Sequence, residues 1–297
     1  MERALDRYRT IWDMVINLRL SIIDTLCPRN NLLEKLELLE QIGIEGIELE
    51  SALSGEVTDK TKSVREALSS SGVKLSTVLI GYQGGLLERN RESREKTLND
   101  IKRYVDACVY LNGVGVVTIP SPHRRRGLFG IPLHRNRESS KALAVEQYRT
   151  LGKYAHDLGV CVIIEPVDHF QTDFINTCDQ AVEICKMTNA DMIKICPDFF
   201  HMTIEHENIA EKLQEFSDYI AHLHIGDCDN KSKFAVMPGK GQIDFASASE
   251  ALRATGYSNY LSFDCAIPNE KELVQGVHFL EERSSKSSRS SGHSNPS

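Results

Sequence analysis

From about residue 18 the chain alternates two kinds of hydrophobic pattern. Short, almost continuous apolar runs rich in β-branched residues are separated by longer stretches whose apolar positions recur with helical period. The short runs are LRLSIID (18–24), IEGIELE (44–50), VKLSTVLI (73–80) and GVGVVTIP (113–120). The second half supplies GVCVIIEP (159–166), MIKICPD (192–198), YIAHLHIGD (219–227) and YLSFDC (260–265). These predict eight strands, apolar enough to be parallel and buried on both faces. Helices are predicted between them over 30–43, 56–72, 87–112, 140–158, 177–189, 205–217, 245–255 and 269–282. The first places Leu32, Leu36 and Leu39 on one face and ends at Gly43, a residue suited to a helix C-terminus. One helix per strand, eight times over, is the pattern of a single (β/α)8 TIM barrel of the α/β class. A doubly wound open sheet is the weaker reading, since it normally has fewer strands and often a glycine-rich first turn. Neither GxGxxG nor GxxxxGK[ST] occurs.

The predicted barrel spans 18–283. Residues 1–17 read as an extra amphipathic helix, and the serine-rich tail 284–297 is expected to be disordered, because it cannot bury a core. Its 297 residues exceed the roughly 250 such a barrel needs. A net charge of -7 argues against nucleic acid or an anionic membrane as partner, since both select basic surfaces. No apolar run is long enough to span a bilayer. The eight cysteines are scattered, without a CxxC pair, and mostly sit in apolar runs as small hydrophobes. A reduced, cytoplasmic chain is the expectation.

Barrel enzymes build their sites at the C-terminal ends of the strands. Strand 5 ends at Glu165 and strand 6 at Asp198, with His201 just beyond; strand 7 carries His224 and strand 8 ends at Asp264. Two or three carboxylates with one imidazole suit a divalent ion such as Mn2+ or Mg2+. Taken singly, each residue equally suits a private role, such as capping the next helix. Four such residues on four consecutive strands favour the shared one. His222, two residues before His224, is expected to point to the opposite side, among the helices. Lys240, in PGKG, reaches the substrate or sits on a turn. The run SPHRRRG (121–127) puts His123 and three arginines near the mouth, either as an anion site or as a solvated loop.

The segments IIEPVDHFQTDFINT, ICPDFFHM, HLHIGD, PGKGQIDF and YLSFD together resemble the xylose-isomerase-like sugar phosphate isomerase/epimerase superfamily, which includes ketose 3-epimerases, hydroxypyruvate isomerases and inosose dehydratases. The resemblance covers about residues 18–282. It implies one divalent metal, Mn2+ ahead of Mg2+ or Co2+, held by Glu165, Asp198, His224 and Asp264. It implies Glu165 and Asp264 as the acid/base pair and a substrate contact for His201; Gln171, Lys240 and His123 are the further substrate-binding candidates. The implied activity is isomerisation or epimerisation of a small ketose, sugar phosphate or keto acid through an enediolate. Dehydration of an inosose type is the alternative, and a non-catalytic barrel a further one. Three positions depart from the epimerase pattern: Asp264 and Gln171 stand where glutamates are common, and Asn230 where an arginine binds substrate. The related apurinic-site endonucleases need three metals and more histidines than IGYQGG and the 228–240 segment offer. The expected partner is a small carbohydrate, with a homodimer or homotetramer as the expected assembly.

Overall fold

Each of the eight apolar runs contains a strand in the computed structural model, which describes residues 19–50, 57–80, 85–88, 90–120, 137–229 and 231–286. In chain order these are β1 (Arg19–Ile22), β2 (Gly46–Leu49), β3 (Lys74–Leu79), β4 (Gly115–Thr118), β5 (Cys161–Ile164), β6 (Ile193–Ile195), β7 (Leu223–Ile225) and β8 (Tyr260–Phe263). The helices are α1 (Leu32–Gln41), α2 (Val57–Ser69), α3 (Arg91–Tyr110), α4 (Arg137–His156), α5 (Cys178–Thr188), α6 (Phe199–Ile204), α7 (Ile209–Glu215), α8 (Phe245–Thr255) and α9 (Glu270–Lys286). The predicted helix at 1–17 and His123 lie outside the described residues, as does most of the tail, although α9 runs three residues past its predicted start.

Strands β2 to β6 form one parallel ladder, and β1, β8 and β7 another. Parallel bridges Ile23–Glu48, Ile195–Ile220 and Asp198–His224 join the two into a closed barrel. Closure leaves no strand edge to cover. A main core lies between strands and helices, with Tyr148, Leu39 and Phe263 among its fully buried side chains. A separate cluster of Ile23, Leu79, Val117, Ile163, Cys196 and Ala221 packs inside the barrel.

Local chemistry explains most helix ends. Asn31 and Asn90 accept N–H groups from the first turns of α1 and α3, and Gly256 ends α8 in the left-handed region at φ 71°. One stretch differs from its reading. The segment after β6 is predicted to carry one helix, over 205–217, but it holds two short ones, α6 before that span and α7 inside it. Asp198 begins α6 at once by accepting the His201 N–H at 2.8 Å. His206, at φ 58°, then breaks the helix, and Asn208 caps α7. The early start brings His201 onto a helix directly beneath the strand end.

Candidate metal centre and active-site cavity

Backbone ladders set the height of the four strand-end residues. The Glu165 N–H donates to Thr118 (3.0 Å), that of His224 to Pro197 (3.0 Å) and that of Asp264 to Ile225 (3.0 Å). One ligand atom from each of Glu165, Asp198, His224 and Asp264 lies within 4.8 Å of all the others. Glu165, Asp198 and His224 are buried; Asp264 opens partly to the cavity above. His224 Nδ1 is 2.9 Å from Glu165 Oε1 and 3.6 Å from Asp264 Oδ2. Three carboxylates and an imidazole, converging and partly dry, make a donor set that suits a divalent cation. The helix-capping role weighed for these carboxylates also holds at Asp198, whose Oδ1 takes the His201 N–H.

Crowding of like charge marks the cluster. Burial, joined by the neighbouring Asp198 and Glu165 carboxylates, pushes Asp264 up to about 7 against the pull of His224. Burial also raises Asp198. For His224, burial acts to lower the pKa, but Cys196, Glu48 and Glu165 outweigh it and hold the ring well above the ordinary imidazole range.

Glu48 was not singled out from the sequence, and the structure places it directly behind His224. Its carboxylate accepts from His224 Nε2 at 3.1 Å and from His222 Nε2 at 3.0 Å. Burial would raise Glu48, yet the two imidazoles hold it well below the usual carboxylate range. With Nε2 committed to Glu48, His224 presents Nδ1 to Glu165 and Asp264, the carboxylate–histidine arrangement that orients metal-binding imidazoles. His222 thus corrects its expectation. Residues two apart share a face of a strand, so His222 points inward with His224, the rings 5.3 Å apart, and Thr77 lies 3.2 Å from its Nε2. A charged residue inside an apolar strand, IEGIELE, was the available signal for Glu48.

Above the cluster opens a cavity of about 1010 Å3, lined by Glu165, Asp198 and Asp264 at its floor and by His201, Asp168 and Gln171 at one wall. His201 is buried, not solvent-facing. Its Nδ1 lies 2.7 Å from Asp168 Oδ2, and Gln171 Nε2 donates to the same oxygen at 3.2 Å. Burial opposes the charge on His201, but Asp198 and Asp168 raise its pKa to about 9. Asp168 itself, in spite of burial, is lowered by its bond to His201. It is a second residue the sequence reading passed over, although it lies three positions after Glu165. Lys240 is not brought to the cavity: its Nζ pairs with Glu272 of α9 at 3.2 Å.

The loop between β7 and α8 is folded around Asp227. This buried carboxylate accepts the N–H groups of Cys228 (2.8 Å), Gly239 (3.0 Å), Gly241 (2.9 Å) and Ile243 (3.0 Å). A Cβ at Gly241 would collide with Asp227 and the Cys228 carbonyl, so the loop requires glycine there. Among the described residues, no helix is long and apolar enough to cross a membrane.

Comparison with known proteins agrees with this architecture. The family described as xylose isomerase-like TIM barrel matches residues 36–283. The 3-dehydro-D-guloside 4-epimerase of Escherichia coli (strain K12) is 28% identical over 245 residues, 81% of this chain and 89% of that protein. The D-psicose 3-epimerase of Ruminiclostridium cellulolyticum is 33% identical over 115 residues, 39% of this chain and 38% of that protein. The solved apo form of 3-keto-D-glucoside 4-epimerase from E. coli superposes with a TM-score of 0.77 at 26% identity, covering 90% of this chain and 99% of that one. Relatives of this chain are thus sugar epimerases, and the chain itself belongs to the xylose isomerase-like TIM barrel family.

Proposed function

We propose that this protein is a divalent-metal-dependent sugar epimerase or isomerase. The observation that carries the reading is the convergence of Glu165, Asp198, His224 and Asp264 within 4.8 Å at the floor of a large cavity. That its relatives are sugar epimerases supports the same reaction class. A divalent cation held by these four residues, Mn2+ before Mg2+ or Co2+, would supply positive charge against the oxygens of a carbonyl and its neighbouring hydroxyl.

The chain's own groups then have separable tasks. Glu165 and Asp264, just past the ends of β5 and β8, are the proton-transfer pair: one takes the proton from the carbon beside the carbonyl, and the other returns one. Return to the opposite face of the same carbon is epimerisation, and return to the adjacent carbon is isomerisation. His201, set by Asp168, turns its Nε2 toward the cavity as a donor to a substrate oxygen. Gln171 stands beside it, a neutral amide where the ketose epimerases commonly carry a glutamate. Asp264 is one methylene shorter than the glutamate common at that position, so the proton-transfer geometry is this chain's own.

The test is metal analysis of the purified protein followed by turnover of a panel of ketoses, keto-glycosides and inososes in D2O. Deuterium should enter one carbon of the skeleton, and a chelator should stop it. A protein that binds no divalent metal and exchanges no carbon-bound proton sinks the proposal in favour of a non-catalytic barrel.

A further inference from the structure

We infer that the sugar this site handles is a keto-glycoside bearing an apolar aglycone. The inference rests on the epimerase reading above and adds what lies beyond the sugar ring. The cavity of about 1010 Å3 is at the top of the range, roughly 300–1,000 Å3, in which proteins enclose drug-sized ligands. A single sugar ring is smaller than that.

The lining is also largely apolar. Thr25, Glu50, Ser232 and Lys233 join the carboxylates, His201 and Gln171, but Leu26, Ile204, Phe170, Phe234 and Ala235 line it as well. A sugar carries hydroxyls around its whole rim, and hydroxyls pressed on such a wall would lose water without gaining partners. An apolar group attached to the sugar matches it.

Two phenylalanines locate that group. Phe170 is 69% exposed and Phe234 76% exposed, and both line the cavity. Large aromatic side chains left in water beside a cavity are a mark of a binding surface. The Phe170 N–H donates to Asp168 Oδ1 at 2.9 Å, so one carboxylate holds both the aromatic and His201. Phe234 lies between Cys228 and Gly239, two of the four positions whose N–H groups Asp227 gathers. The reactive carbonyl must then lie on a ring carbon other than the anomeric one, which the glycosidic acetal occupies. Proton removal and return proceed as proposed above, with the glycosidic bond intact.

The experiment compares a keto sugar with its methyl and phenyl glycosides, following deuterium exchange by NMR in the metal-loaded wild type and in Phe170→Ala/Phe234→Ala. In the wild type, kcat/KM should rise about 10–100-fold from methyl to phenyl glycoside, the effect of burying one ring. In the double variant that ratio should fall close to one. Equal rates for the methyl and phenyl glycosides in the wild type, or a ratio that survives in the variant, overturns the inference and leaves the epimerase reading standing. So does a change of oligomeric state in the variant by light scattering, which would make the two rings a subunit contact. No exchange on any of the sugars overturns both readings.

Discussion

Glu165 and Asp264 approach the same space from β5 and β8, one fully buried and the other open to the cavity. If they share one proton transfer, Glu165→Gln keeps the size and an oxygen donor but removes the base. Turnover should fall by roughly 10²–10⁴, the usual worth of general acid–base catalysis, with much less loss of metal affinity. Asp264→Asn should behave alike, and the double variant should be little worse than either single one. Steady-state kinetics beside metal titration checks this; full activity in Glu165→Gln would rule out the assigned base. Glu48 acts at one remove, through the Nε2 of His224. Glu48→Gln keeps a hydrogen-bond acceptor but loses the charge that fixes the ring, so metal affinity should weaken about 10–100-fold, as for other residues behind a ligand. Competition with a chelator of known affinity measures it. Unchanged affinity would make Glu48 a partner of His222 alone.

Short elements here are held together by carboxylates that reach across chain segments. Glu207, in the break between α6 and α7, accepts the N–H of Cys178 at the start of α5 at 3.0 Å. Burial, with nearby Asp179, raises its pKa from 4.5 to about 7. The folded protein therefore binds this proton more tightly than the unfolded chain. The stabilisation is complete below about pH 4.5 and is lost as pH rises through about 7. Glu207→Gln stays neutral throughout, so between pH 5 and pH 8 its melting temperature should fall less than the wild type's. Parallel falls would mean that Glu207 ionises as freely in the fold as outside it. The same break shows why the helix prediction blurred there. FFHMTI, six residues, is too short to display a helical period, and the Asp198 cap starts a helix on it.

Across the whole barrel, four carboxylates (Glu48, Glu165, Asp198 and Asp264) crowd one end. Bringing such charges together costs stability, and a cation that binds only the folded state offsets that cost by linkage. At a hundredfold excess over its Kd, a bound metal adds about 2.7 kcal/mol. For a chain this size that corresponds to a rise in melting temperature of roughly 5–10 °C. Scanning calorimetry with Mn2+, with EDTA and after Mn2+ is restored should show the rise, its loss and its recovery. A melting temperature indifferent to metal would mean that the four side chains do not act as one ligand set.

What the sequence determined by itself was everything written in local period and strand position. Eight apolar runs separated by helical repeats specify a barrel, because burial on both faces and the 3.6-residue period leave their marks along the chain. The same logic reached Glu165, Asp198, His224 and Asp264, since barrel strands deliver their last residues to one rim. Tertiary structure decided what depends on neighbours distant in the chain. Glu48 lies 176 positions from the ring it holds, and only barrel closure through the Ile23–Glu48 and Asp198–His224 bridges brings the two together. Asp168 reaches His201 because the α6 helix starts early, and Lys240 pairs with Glu272 instead of lining the cavity. Hydrophobic period fixes which face of an element is buried. Which polar groups then meet is set by the register and closure of the barrel, which no local pattern records.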